Sequence, residues 1–158
     1  TAAYGADYWL DVPVVEVEEN NGRTTTAQDI DGAAFNLSAN VNIANSTTIP
    51  HVTILGLGDN SSDFYQFTVP QGADIRIESD SVVGFGGNVQ LRLGSGNNSN
   101  VQTSSNGLLI RNNVTAGTYT VRVRDLAAGN VPLGASYQLH VSIEDHATPT
   151  PTTVTIPA

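Results

Sequence analysis

"GTYTVRVRD", residues 117–125, alternates without a break: Tyr119, Val121 and Val123 fall on one face, Thr120, Arg122 and Arg124 on the other. A period of two is the geometry of a strand with one face buried and one face wet. The same alternation recurs in "ADIRIES" (73–79), "FYQFTV" (64–69), "NVQLRL" (88–93), "LLIRN" (108–112) and "SYQLHVSI" (136–143). Turn-forming clusters separate them: "PQG" (70–72), "GSGNNSN" (94–100), "NNVTAG" (112–117) and "LAAGNVPLG" (126–134). No stretch carries a 3.6-residue period, and "TTTAQDI" (24–30) has room for a single helical turn. Many short strands with frequent turns predict an all-β fold, an antiparallel two-sheet β-sandwich, because one sheet alone cannot bury its apolar face.

Composition narrows the classes of function. The 158 residues carry 15 acidic and six basic side chains, a net charge of −9. All the basic residues are arginine. That field excludes nucleic acid and anionic membrane surfaces as partners. No apolar run approaches the ~18 residues of a membrane span, so no membrane insertion is expected. Cysteine is absent, which removes disulfides, thiol catalysis and cysteine-ligated zinc. The abundance of Asn, Ser, Thr and Gly reads as an extracellular or cell-surface bacterial β-protein. With Thr1 in place of a start methionine, the chain reads as a piece of a longer protein.

An internal echo suggests how that longer protein is organised. "GADYWLDVP" (5–13) matches "GASYQLHVS" (134–142) at Gly, Ala, Tyr, Leu and Val. Residues 1–13 therefore read as the last strand of a preceding repeat or a linker, and 14–145 as the main sandwich. Residues 146–158, "HATPTPTTVTIPA", read as a Thr/Pro-rich linker. Trp9, the only tryptophan, falls opposite Tyr8 and Leu10 in the alternation. It would serve as a ligand platform or pack on a neighbouring module.

Two acidic clusters are the candidate site. "EVEENN" (16–21) offers Glu16, Glu18, Glu19, Asn20 and Asn21; "GDNSSDFY" (58–65) offers Asp59, Asn60 and Asp63 on a glycine-led loop. A hard cation such as Ca2+ takes six to eight oxygens from carboxylates, amide carbonyls and main chain. Neither cluster alone makes such a shell; together they do if the fold joins them. The alternative is an acidic solvated linker and an ordinary polar turn. No nucleophile–base pair is visible: His51, His140 and His146 show no metal spacing, and His140 is read as a surface histidine on an outward strand face.

The order of motifs resembles the bacterial pre-peptidase C-terminal domain. It runs "EENNGRTTTAQDI" (18–30), "DFYQFTVPQGADIRIE" (63–78), "VTAGTYTVRV" (114–123) and "GASYQLHV" (134–141). The resemblance spans about 16–143 and implies a jelly-roll-like β-sandwich, non-catalytic, appended to secreted peptidases or carried in large surface proteins. Related collagen-binding domains of clostridial collagenases bind calcium through the N-terminal segment. By that likeness the ligands would be Glu19 and Asn20, with Glu16 and Glu18 as alternatives in register, and Asn60 and Asp63 with Asp59 nearby. Gly22 stands where the family often has Asp or Ser, and "NLSANVNIANSTTIPH" (36–51) is longer than the family's connection. The expected function is a calcium-stabilised module for adhesion, ligand binding or spacing. Its partners would be an extracellular protein or glycan and neighbouring modules of the same chain. The alternative is an accessory substrate-binding domain of a secreted exoenzyme.

Overall fold

The computed structural model describes residues 13–16, 21–33, 35–69, 72–96 and 99–146. Trp9, Glu18, Glu19 and Asn20 lie outside the described residues, as do 1–12 and 147–158. Ten strands are present among the described residues: β1 (Val14–Val15), β2 (Gln28–Asp29), β3 (His51–Leu57), β4 (Asp63–Val69) and β5 (Ala73–Val83). They continue with β6 (Val89–Ser95), β7 (Asn100–Ser104), β8 (Leu108–Val114), β9 (Gly117–Asp125) and β10 (Ser136–Asp145). The run of threonines makes one 3₁₀ turn, Thr24–Thr26.

The strands build two five-stranded sheets, ordered β1-β3-β10-β5-β8 and β2-β4-β9-β6-β7. Every connection except β6–β7 carries the chain from one sheet to the other, the winding of a jelly-roll-like sandwich. The long strands pair antiparallel, as the alternation requires. The two-residue strands β1 and β2 depart from that expectation: each joins a sheet edge in parallel, on β3 and β4 respectively.

The inward rows are those the alternation names. Tyr119, Val121 and Val123 of β9 join Tyr65 and Phe67 of β4 and Leu91 and Leu93 of β6. Opposite them lie Ile75 and Ile77 of β5, Leu139 and Val141 of β10, and Val52 and Ile54 of β3. Each such side chain withdrawn from water contributes about 1.5–3 kcal/mol. Strand β3 lacks a legible alternation because both of its faces are covered. His51, Thr53 and His140 point away from the core and are nonetheless buried.

That burial corrects the reading of His140 as a surface histidine. The long 36–50 connection lies over the outer face of its sheet. Asn36 bridges to His51, the Ser38 hydroxyl lies 3.1 Å from His51 Nε2, and the Ala44 N–H donates to Glu78 at 3.0 Å. Ile43 is buried beneath this cover.

Asp125, at the end of β9, organises two corners. Its Oδ2 accepts from the Gly86 N–H at 2.6 Å and its Oδ1 from the Ala127 N–H at 2.8 Å. Burial opposes its charge, but the N–H groups of Ala127, Gly86, Ala128 and Gly87 outweigh that and hold its carboxyl below the ordinary range. Asp125→Ala would remove these charge-assisted bonds to the Gly86 and Ala127 N–H groups, at a cost of about 1–3 kcal/mol. We expect urea denaturation to show that loss as a lower midpoint with an unchanged slope.

Candidate functional site

At the end of the sandwich where β3 finishes, the two acidic segments meet. Glu16 follows β1 directly, and its N–H donates to the Leu55 carbonyl at 3.0 Å. Its carboxylate then reaches back into the fold, where Oε2 accepts the Leu57 N–H at 2.5 Å and Oε1 accepts the side-chain amide of Asn21. The Asn21 carbonyl accepts the Phe64 N–H at 3.0 Å. That bond clips the opening segment to the start of β4, one residue beyond Asp63.

Asp63 is 1% exposed and Glu16 is 7% exposed. Asp63 Oδ2 accepts the Tyr137 hydroxyl at 2.6 Å, and the Tyr65 and Tyr137 hydroxyls are 2.7 Å apart. The second Asp63 oxygen, Oδ1, is buried with no hydrogen-bond partner. Gly56 makes this arrangement possible. It pairs with Tyr137 across the β3–β10 ladder, and a Cβ there would fall 2.1 Å from the Tyr137 ring.

Two buried carboxylates in mutual contact do not both ionise without a counter-charge. Burial, then the charge of Glu16, pushes the Asp63 carboxyl up to about 8, against the Tyr137 hydrogen bond. Burial likewise raises Glu16, opposed by the Leu57 N–H and Asn21. The Tyr65 and Tyr137 phenols are raised by burial, and the neighbouring acids add to this. With no cation present, the pair holds one proton between them through neutral pH.

Asp59 and Asn60 sit on the adjoining loop and have local work. Asp59 Oδ1 accepts the Ser61 N–H at 2.7 Å; Asn60 Oδ1 accepts the Leu133 N–H at 3.0 Å. Asn60 occupies the left-handed region, φ 71°, which asparagine tolerates better than most residues. Among the described residues, then, Glu16 and Asp63 come together, and Asp59 contributes its charge from nearby. No group of three or more His, Cys, Asp or Glu side chains among the described residues is placed to share an ion. Two carboxylates are fewer than a calcium shell needs. Glu18, Glu19 and Asn20, the other expected ligands of the opening segment, lie outside the described residues.

A second polar cluster escaped the sequence reading. Under the 36–50 connection, Thr53 Oγ1 lies 3.0 Å from His140 Nδ1, and His140 Nε2 lies 3.2 Å from Asp80 Oδ1. Hydroxyl, imidazole and carboxylate in a row is an arrangement hydrolases use. Here His140 is wholly buried and Thr53 nearly so, so no substrate reaches the hydroxyl and the row is structural. The ladder registers Thr53↔His140 and Gln138↔Asp80, which set Asp80 diagonally beside His140, are its origin; a strand pattern shows such alignment only once the pairing is known.

Comparison with known proteins agrees with the motif order. The model of the bacterial pre-peptidase C-terminal domain matches residues 61–125, from the acidic loop through β9. That family comprises non-catalytic accessory modules of secreted bacterial proteins. The chain is also similar to the solved structure of PliG, a periplasmic inhibitor of g-type lysozyme from Aeromonas hydrophila. The identity is 13% and the TM-score 0.47, over 65% of this chain and 93% of that one. No curated protein matches the chain.

The shared proton sets the sign of a pH dependence. Asp63 binds its proton more tightly folded (about 8) than unfolded, where a free aspartate titrates at 3.8. The stabilisation is therefore full below the unfolded value and is lost as pH rises towards 8. In chelator, thermal stability should fall between about pH 4 and pH 8, by up to about 1.4 kcal/mol per pH unit. Asp63→Asn should flatten that slope. Melting curves over this range check both outcomes.

Proposed function

We propose that this chain is a calcium-stabilised, non-catalytic β-sandwich module of a large secreted or surface protein, serving ligand binding and spacing. The observation that carries the reading is the meeting of Glu16 and Asp63 at the end of a fold whose middle matches the pre-peptidase C-terminal family. A divalent cation would replace the shared proton and use the unpartnered Asp63 Oδ1. Glu16 and Asp63 would supply the carboxylates, and Glu18, Glu19 and Asn20 are the remaining candidates on the opening segment. Bound calcium would fix the strand opening to the body of the sandwich, and so the angle at which a preceding module stands.

A second reading makes the chain an accessory substrate-binding domain of an exoenzyme, and the family's association with peptidases favours it. The parent sequence separates the two: repeated sandwiches indicate an adhesive array, and one catalytic domain upstream indicates an exoenzyme.

Extracellular modules bind calcium with dissociation constants of about 10⁻⁴–10⁻³ M. At 10 mM calcium that amounts to about 1.4–2.7 kcal/mol of linked stabilisation, or roughly 3–10 °C in Tm. We expect that shift at pH 8 relative to chelator, and a smaller one at pH 5, where protons compete. Equal melting temperatures in calcium and chelator at pH 8 would remove calcium from this reading.

A further inference from the structure

Three of the chain's six arginines converge on the outer face of the second sheet. Arg92 of β6 lies directly across from Arg122 of β9, at the roughly 4.5–5.5 Å Cα spacing of an antiparallel pair. Arg124 follows on the same face, about 7 Å along the strand. Like charges directly opposed in a sheet repel, and such pairs are ordinarily relieved by a carboxylate nearby. The strand neighbours of this pair among the described residues are not acidic: Arg122 is flanked by Phe64 on β4, and Arg92 by Thr103 on β7. Arg76 differs, because on the other sheet it pairs with Glu78 at 3.0 Å.

The partner of two of these arginines is neutral. Gln90 Oε1 accepts from Arg124 Nε at 2.6 Å and from Arg122 Nη2 at 3.2 Å. Gln90 is 8% exposed and its own amide reaches the Ser105 hydroxyl at 3.5 Å. One buried glutamine thus holds two guanidinium groups side by side without neutralising either. Among the described residues neither Arg122 nor Arg124 meets a carboxylate, and Arg122 Nε is buried with no hydrogen-bond partner. Burial, then the charges of Arg124 and Arg92, lowers the Arg122 pKa, the response of a cation held where an anion is missing.

We propose that the outer face of β6 and β9 binds an anionic polysaccharide, Arg122 and Arg124 gripping a carboxylate or sulfate group and Arg92 flanking them. Planar guanidinium forks recognise such oxyanions through paired hydrogen bonds, and prior alignment by Gln90 removes part of the ordering cost of binding. The surroundings suit a sugar polymer. The surface is an extended strand face, and outward Thr103, Thr118 and Gln66 offer hydroxyl and amide partners for ring hydroxyls. A single-stranded nucleic acid fits less well, since its bases are held by stacking on aromatic side chains, and Phe64, the aromatic beside Arg122 on this face, is only 9% exposed. This deepens the reading of the chain as a ligand-binding module and names the ligand's chemistry. It is independent of calcium.

The test is titration calorimetry in chelator at 50 mM NaCl, with polygalacturonate, dextran sulfate, neutral dextran and a single-stranded oligonucleotide. We expect binding to at least one of the two anionic polysaccharides and at least tenfold weaker binding to dextran and the oligonucleotide. The tighter of the two polymers distinguishes carboxylate from sulfate, and 500 mM NaCl should abolish the signal. Arg122→Gln with Arg124→Gln should weaken binding at least tenfold. So should Gln90→Glu, which places a carboxylate between the two guanidinium groups and keeps both in position. Arg76→Gln should bind as the parent does. Absence of binding to both anionic polymers overturns the proposal, as does equal binding of dextran or oligonucleotide. Retention of affinity within twofold in either the double arginine variant or Gln90→Glu also overturns it. A missing polymer signal beside an intact calcium shift in Tm overturns the arginine site alone and leaves the module reading standing.

Discussion

Tyr65 on one sheet and Tyr137 on the other join hydroxyls across the sandwich, 2.7 Å apart, and Tyr137 passes the chain of hydrogen bonds on to Asp63. Both rings are essentially inaccessible, so their polar ends need partners inside the protein. The requirement propagates outward. Tyr137 occupies its place because Gly56 has no side chain. Asp63 is drawn inward at the first position of β4, and Glu16 is brought against it by the Leu57 N–H and Asn21. A bond network that begins as satisfaction of two phenols ends by fastening the first described strand to the rest of the fold. The carboxylate pair is therefore a structural feature before it is a ligand site.

The two faces of the sandwich solve the problem of outward polar residues differently. On the sheet containing β3, β5 and β10, the 36–50 connection covers the outer row, and the histidines, threonine and acids beneath it pair with one another. On the sheet containing β4, β6 and β9, the outer row stays partly open. Arg122 and Arg124 there are aligned by the amide of Gln90 in place of an acid, two cations on a strongly negative molecule. The first face is closed. On the second, Arg122 and Arg124 meet no carboxylate among the described residues, and that asymmetry directs attention to it as the interacting face.

Much of the architecture was legible because alternation is a direct imprint of a half-buried sheet. The inward row Tyr119, Val121, Val123 and the outward row Thr120, Arg122, Arg124 are placed as the pattern requires, and the middle of the chain carries a recognisable family order. Strand β3 was not legible, since a strand covered on both sides has no polar face to alternate. The two-residue strands β1 and β2 were equally hidden, being too short to carry any period. His140 was assigned to the correct face and the wrong environment, because a strand pattern does not register a loop lying over it. At the acidic site the two segments were identifiable from composition. Their union depended on backbone bonds such as Phe64 N–H to the Asn21 carbonyl, which no side-chain pattern encodes. The tyrosines that line the site looked like core and are core; only their hydroxyl ends belong to it. The role of Gln90 was hidden as well, since a glutamine between two arginines becomes visible only when strands β6 and β9 are laid side by side.

Strands β1 and β10 flank β3 on its two sides, β1 parallel and β10 antiparallel to it. Val14 stands level with Ile54, midway along β3, and β1 runs directly into Glu16, about 7 Å further along the strand. Displacement of β1 along its own axis would therefore be resisted at once by the bonds that Glu16 makes to the Leu57 N–H and to Asn21. The carboxylate pair acts as a latch on the first described strand.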